Sequence, residues 1–257
     1  MSAETLYRLD GRVAVVTGAE RGIGATIAEH FLALGATVVL ADRSSSVRET
    51  AARLDPNGKR TSWLTLDVTD SSSLDAAADT VIQRHGAVDI LAANAGISYE
   101  AAAIDHSDEI WRHALSVNLD GSFYSARAFA RPMLQRGRGA IVLTSSIAGV
   151  KVVRPELHVG YDVAKAGVAH MTRVLGIEWA KQGLRVNAVG PGYTDTEMLA
   201  DVGRTQPDVM KIWLEDMPNG RLLRKQEIAS AVAFLASDAA SGINGHVLMV
   251  DAGYSIS

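Results

Sequence analysis

Two residue types four positions apart, the phenol and ammonium of Tyr161-Asp-Val-Ala-Lys165, are suited to acid–base chemistry that needs no metal. On a helix, positions i and i+4 share one face about 5–6 Å apart at Cβ, so the Lys165 charge favours ionisation of the Tyr161 phenol. An unassisted tyrosine titrates near about 10 and needs such help to act as an acid or base near neutrality. The same spacing arises in many helices as packing plus a solvated charge, so the pair gains meaning only from its surroundings.

A second constellation lies near the start of the chain. In Gly18-Ala-Glu-Arg-Gly22-Ile-Gly24 the glycines let a turn bring backbone N–H groups and a helix N-terminus close to a pyrophosphate, where a side chain would block the approach. A strand–helix turn needs glycine for its own geometry as well. Asp42, 18 positions after Gly24, tips the balance toward a dinucleotide, because it can accept both ribose hydroxyls of adenosine. The same carboxylate would repel a 2′-phosphate, which favours NAD over NADP; Arg21 and Arg43 pull the other way, since either could pair with that phosphate.

These residues need elements to hold them. Residues 13–17 form a short apolar β-branched run suited to a strand buried on both faces, 25–34 repeat apolar positions at helical spacing, and 37–41 form a second strand ending at Asp42. That is a βαβ unit. The alternation continues with strands over 62–66, 88–92, 140–144, 185–189 and 246–250. Helices are predicted over 71–85, capped by its serine cluster, over a long stretch 107–135, and over 160–181 and 226–237. Residues 193–224 read as more polar and irregular, a segment placed to cover a substrate. No repeat, charge run or linker divides the chain, so residues 1–257 are expected to form a single α/β domain. It would be a Rossmann-like, doubly wound parallel sheet of about seven strands with helices on both faces. Ligands bind such sheets beyond the strand carboxyl ends, here Thr17-Gly18, Asp42, Asp67, Asn94, Ser145-Ser146 and Pro191-Gly192.

Composition narrows the partners. With 47% hydrophobic and 21% charged residues and a net charge of −4, the chain is globular and carries no basic footprint for nucleic acid. It has no cysteine, hence no disulfide, thiolate metal site or cysteine nucleophile, and its seven histidines show no pair at metal spacing, so no metal is expected. The sequence shows no apolar run long enough to cross a membrane and no leader pattern, which makes a cytoplasmic protein the expectation.

Taken together, Thr17-Gly18-Ala-Glu-Arg-Gly22-Ile-Gly24, Asn94-Ala-Gly96, Asn118, Ser146, Tyr161-x-x-x-Lys165 and Pro191-Gly192-Tyr-Thr-Asp-Thr196 resemble the short-chain dehydrogenase/reductase family over nearly the whole chain. The resemblance implies hydride transfer between a nicotinamide and a secondary alcohol or ketone. It implies Tyr161 as general acid/base, Ser146 holding the substrate oxygen, Lys165 binding the nicotinamide ribose and depressing the Tyr161 pKa, and Asn118 anchoring a proton-relay water. Cofactor contacts would come from Gly18, Arg21, Gly22, Ile23, Gly24, Asp42, Asp67 (to adenine), Val68, Asn94, Gly96, Tyr161, Lys165, Pro191, Gly192, Thr194 and Thr196. Of the serine pair, Ser146 rather than Ser145 matches the usual catalytic position. The interval to Tyr161 is fifteen residues, a lengthened loop that puts the substrate pocket in question. The Tyr161–Lys165 interval is shorter than in the family's enoyl reductases.

The loop at Arg154-Pro155-Glu156, the segment 206–218 and the ending Val250-Asp-Ala-Gly-Tyr-Ser are similar to bacterial polyol and sugar-alcohol dehydrogenases. Ser146, Glu156, His158 and Tyr193 are the candidate substrate contacts; Tyr99 is a further candidate wall, Asp162 reads as a solvated or helix-dipole residue, and Trp213 and Tyr254 as packing. A 3-ketoacyl-carrier-protein or steroid-type reductase, and a dinucleotide-sensing regulator without catalysis, are the alternatives. Family members are usually homotetramers pairing the long helices on either side of the fifth strand. Ala164, Ala166, Gly167 and Ala169 would allow that packing or face the chain's own sheet.

Overall fold

The computed structural model describes residues 2–257, the side chain of Met198 apart. Seven strands form one wholly parallel sheet in the order β3-β2-β1-β4-β5-β6-β7: β1 Val13–Thr17, β2 Thr37–Asp42, β3 Thr61–Thr65, β4 Ile90–Ala93, β5 Gly139–Thr144, β6 Leu184–Pro191 and β7 Val247–Val250. The order reverses between β1 and β4, where Thr17 pairs with Ala93, so a crevice opens beyond their carboxyl ends.

Helices cover both faces because successive strand residues point to opposite sides. Ala14 and Val16 face the layer that holds α2 (Gly22–Ala33), α3 (Val47–Leu54) and α10 (Lys225–Ala236), with Phe31 fully buried in it. Val13 and Val15 face α4 (Ser71–His85), α6 (Gly121–Arg136) and α7 (Val159–Ala180), with Phe129 fully buried. Each such aromatic contributes about 1.5–3 kcal/mol by leaving water. A short helix α1 (Ala3–Tyr7) precedes β1. The predicted fold class and every predicted strand are present, within two residues at each end.

Three local expectations are corrected. The cap of α4 is Asp70, whose carboxylate accepts from the Ser72 and Ser73 N–H groups, rather than one of the serines that follow. The long helix expected over 107–135 is two helices, α5 (Asp108–Leu115) and α6, joined by a π turn at Ser116–Asp120. Residues 193–224 are not irregular: they contain α8 (Glu197–Thr205) and α9 (Pro207–Asp216). Thr196 caps α8, Pro207 occupies the first turn of α9, and Leu199, Val202, Val209, Met210 and Trp213 pack inward. The outward residues Asp201, Arg204, Lys211 and Glu215 gave this stretch its polar appearance.

The small residues of α7 are mostly used within the chain. Ala164 and Ala169 are buried against its own core, and a Cβ at Gly167 would lie 2.8 Å from Leu119 Cδ1; Ala166 is exposed.

Candidate active site

At the crevice the glycine turn is shaped by what it excludes. Gly18 and Gly22 adopt φ of +64° and +59°, a region glycine enters without steric cost. A Cβ at Gly24 would stand 2.0 Å from the Gly18 carbonyl oxygen, so the first turn of α2 closes on the loop only with glycine there. Thr17 Oγ1 accepts from the Asn94 and Ala95 N–H groups at 3.0 and 3.2 Å, and Asn94 Nδ2 donates to the Thr17 and Gly18 carbonyls, tying β4 to β1. Arg21, at the N-cap of α2, contributes no side-chain cap bond, so the helix presents its first N–H groups and positive dipole end to the crevice. Asp42 is held from both sides: Oδ1 accepts from Ser44 N–H at 3.0 Å and Oδ2 from Glu20 N–H at 3.1 Å. A glycine cradle, an uncapped helix start and a fixed carboxylate fit the pyrophosphate and adenosine ribose of a dinucleotide.

One cavity of about 1030 Å³ runs from this turn past β4 and β5 to α7 and α9. Every sequence-predicted cofactor and substrate residue lines it: Gly18, Arg21, Gly22, Ile23, Gly24, Asp42, Asp67, Val68, Asn94, Gly96, Ser146, Glu156, His158, Tyr161, Lys165, Pro191, Gly192, Tyr193, Thr194 and Thr196. Asn118 does not line it. Fully buried in the π turn, it accepts from Ile97 N–H at 3.1 Å and donates to the Ile97 and Ala114 carbonyls at 2.9 Å, so it fixes the cavity wall at Ile97 from behind.

Tyr161 and Lys165 do share one face of α7, with Lys165 Nζ 5.5 Å from the Tyr161 ring centroid. Lys165 Nζ donates to the Thr144 carbonyl at 2.8 Å, and burial lowers its pKa to about 8. Burial also pushes the Tyr161 phenol up, and the Ser146 hydroxyl offsets this only in part. The nearby charge of Asp162 adds to the upward push. The two serines are separated by their partners. Ser145 Oγ donates to the Lys165 carbonyl at 2.9 Å, whereas Ser146 Oγ accepts from Ala148 N–H at 3.1 Å and stands beside the Tyr161 hydroxyl.

Beyond Tyr161 the wall is built from distant segments. Tyr193 stacks on Trp213 at 4.7 Å, meets Tyr254 edge-on at 5.5 Å, and donates to Glu156 Oε2 at 3.0 Å. Arg154 pairs through two bonds with Asp216 of α9, and Lys151 donates to the Tyr254 carbonyl at 3.0 Å, so the loop before α7 is anchored to both α9 and the chain end. Burial raises the Glu156 pKa; the Tyr193 hydroxyl and His158 work against it. His158 and Tyr161 rings lie 5.2 Å apart. Asp162 stands in the first turn of α7, as its helix-dipole reading expects, and is only partly solvated: its Oδ1 is 2.9 Å from His158 Nδ1, off the direction of a good hydrogen bond yet close enough for charge attraction. Burial lowers the His158 pKa, but Asp162, Glu156 and Glu100 together outweigh it, and the net direction is up.

Tyr99 is 39% exposed, packs on His113 and leaves the wall to its neighbours Ser98 and Glu100. Sequence reasoning missed Trp213, Glu20 and Ser44 as lining residues. Asp42-x-Ser44 is a local side-chain-to-backbone turn pattern that could have pointed to Ser44. No group of acidic or histidine side chains among the described residues could hold a metal.

A fold and site of this kind define a dinucleotide-dependent oxidoreductase acting on CH–OH groups. The chain belongs to the short-chain dehydrogenase/reductase family: residues 18–255 match a family model described as enoyl-(acyl carrier protein) reductase. It is 41% identical to galactitol 2-dehydrogenase (L-tagatose-forming) of Cereibacter sphaeroides over 256 residues, all of both chains. It is 37% identical to an NAD-dependent glycerol dehydrogenase of Listeria innocua serovar 6a, covering 97% of this chain and 96% of that one. Among solved structures it is similar to a short-chain type dehydrogenase/reductase from Mycobacterium marinum, with a TM-score of 0.93 at 32% identity over all of both chains. It is also similar to a gluconate 5-dehydrogenase from Burkholderia cenocepacia J2315 in complex with NADP and tartrate, with a TM-score of 0.91 at 34% identity over all of both chains.

Proposed function

We propose that the protein oxidises a secondary carbinol of a polyol or sugar alcohol to the ketone, and runs the reverse reduction, with NAD preferred over NADP. The observation that carries this reading is that Ser146, Tyr161 and Lys165 line the same cavity as the glycine turn and Asp42. A nicotinamide dinucleotide bound along that cavity supplies the hydride acceptor in oxidation and the donor in reduction.

The chain's own residues manage the oxygen and its proton. Ser146 Oγ and the Tyr161 phenol hold the substrate oxygen from two sides, and the deprotonated phenolic oxygen takes the carbinol proton. Lys165, buried and close to neutrality in its titration, sits where its charge can stabilise that phenolate and where it can reach a ribose. Asn118 acts through Ile97, keeping the wall beside Lys165 in place; a Cβ at the neighbouring Gly96 would lie 2.8 Å from Asn118 Oδ1 and 3.4 Å from Lys165 Nζ. Residues 193–224 cover the substrate end through α8 and α9.

For the cofactor, Asp42 supports NAD, since its two oxygens are fixed toward the crevice rather than free to swing away from a phosphate. The chain's similarity to the NAD-dependent glycerol dehydrogenase supports the same choice; the NADP held by the gluconate 5-dehydrogenase is the contrary observation. A cytoplasmic homotetramer completes the reading. Its supports are the cysteine-free composition and the exposed apolar residues Val163, Val174 and Ile177 along α7.

The test is an assay of dinucleotide reduction across polyols, sugars, hydroxy acids and secondary alcohols with each cofactor. Polyols are expected to give the fastest turnover, with NAD favoured by about tenfold or more from charge repulsion at Asp42. A clear advantage for NADP overturns the cofactor choice, and silence across the panel overturns the substrate choice.

A further inference from the structure

The substrate end of the cavity is unusual for its charges. Among all the lining residues the lysines and arginines are Arg21, Arg43 and Lys165. Arg21 and Arg43 belong to the glycine turn and the end of β2, and Lys165 Nζ is already bonded to the Thr144 carbonyl. The titratable groups past Tyr161 are Glu100, His113, Glu156, His158 and Tyr193, with Glu197 and Asp201 of α8; Glu197 is paired with Lys225 and Asp201 with Arg204. His158 is answered by Asp162, 2.9 Å away on its own helix, and by the charges of Glu156 and Glu100. Among the described residues that end of the cavity therefore offers two carboxylates without a lysine or arginine partner, Glu100 and Glu156, and no uncommitted lysine or arginine.

Glu156 is held there deliberately. Its Oε2 takes the Tyr193 hydroxyl at 3.0 Å, and Tyr193 is in turn locked between Trp213 and Tyr254. The Trp213 indole N–H, sealed from water without an aligned hydrogen bond, lies close enough to favour the charged carboxylate. Its Oε1 makes no hydrogen bond among the described residues and is not sealed from the cavity. An oriented carboxylate with one oxygen committed and one open accepts hydrogen bonds and donates none.

We infer that Glu156 is a specificity-determining residue, whose open Oε1 accepts a hydroxyl of a neutral polyhydroxylated substrate and whose charge excludes substrates carrying a carboxylate. The inference rests on the polyol reading above and narrows it. A sugar acid would place its carboxylate beside Glu156 and Glu100 with no uncommitted lysine or arginine among the described lining residues to pair with it, whereas a hydroxyl of a polyol finds the open Glu156 oxygen as acceptor. The His113 imidazole remains available as a second polar contact on the α5 side.

The experiment compares a matched pair, galactitol and galactonate, as substrates of the whole enzyme with NAD, for the wild type and Glu156→Gln. Dinucleotide binding by the variant is measured alongside. The wild type is expected to prefer the neutral substrate by about 30-fold or more in kcat/KM. Glu156→Gln keeps size and an acceptor oxygen but removes the charge, so that ratio is expected to fall by about tenfold, with the larger share of the change in KM. A wild type that uses galactonate as well as galactitol overturns the inference, as does a variant that binds NAD normally and leaves the ratio unmoved. If the variant fails to bind NAD, the wild-type ratio alone decides. An enzyme silent on both substrates but active on another alcohol class refutes the polyol reading instead, and with it this inference.

Discussion

The two ends of the cavity are made by different means. At the cofactor end the shape comes from backbone: positive φ at Gly18 and Gly22, a Gly24 that permits a close approach, and a helix start without a side-chain cap. At the substrate end it comes from side chains drawn from four separate stretches, with Glu156 of the loop before α7, Tyr193 just after β6, Trp213 of α9 and Tyr254 of the chain end meeting around the Tyr193 ring and hydroxyl. Backbone geometry is encoded within a few neighbouring residues, so it is shared widely and changes little. A side-chain cluster assembled from afar can be rebuilt without disturbing the sheet, and such a cluster is where one member of a family can differ from another in substrate.

That contrast is breakable by mutation. Gly24→Ala should have the largest effect, because its Cβ would meet the Gly18 carbonyl at 2.0 Å and the turn must open. NAD affinity should fall by about 100-fold or more, with about 1–3 kcal/mol of stability lost, as read by binding titration and denaturant unfolding. Near-normal affinity would show that the cofactor end does not depend on this backbone approach.

Lys165 sits at the seam, and its burial makes a pH prediction. Its native pKa of about 8 lies below the ordinary 10.5, so between those values the unfolded chain holds a proton the native protein lacks. Stability from this group therefore rises as pH climbs from about 8 toward 10.5; below 8 the cost of the buried charge is present in full. Relative to Lys165→Met, the wild type should gain on the order of 1–3 kcal/mol across that window in urea unfolding of the cofactor-free protein. A difference that stays flat with pH would mean that Lys165 is not desolvated.

At the substrate end, Tyr193→Phe removes the donor to Glu156 Oε2 and to the Arg154 carbonyl while keeping the stack on Trp213. The KM for a polyol should rise about three- to tenfold with NAD affinity unchanged. An equal loss at both ends would erase the distinction between them.

The same contrast explains what the sequence disclosed. The strands, the glycine turn and the acidic end of β2 were readable because short apolar runs, glycine spacing and Asp42 act locally. That Tyr161 and Lys165 share one face was readable from helical periodicity, and their role only from the other motifs around them. Three features were not. Residues 193–224 looked irregular because the inward stripe of Leu199, Val202, Val209, Met210 and Trp213 is interleaved with charges, and only packing shows which face counts. Asn118 read as part of one long helix, since nothing local marks the π turn that turns its amide toward Ile97. The upward push on Tyr161 comes from its removal from water, which spacing does not report.

The central claim is that the Tyr161 phenol carries the proton chemistry at the junction of the two ends. Steady-state turnover of a polyol with NAD by Tyr161→Phe, with NAD affinity measured on the same preparation, tests it most directly. The account predicts a fall in kcat of about 10²–10⁴-fold with NAD binding retained; turnover close to that of the wild type would contradict it.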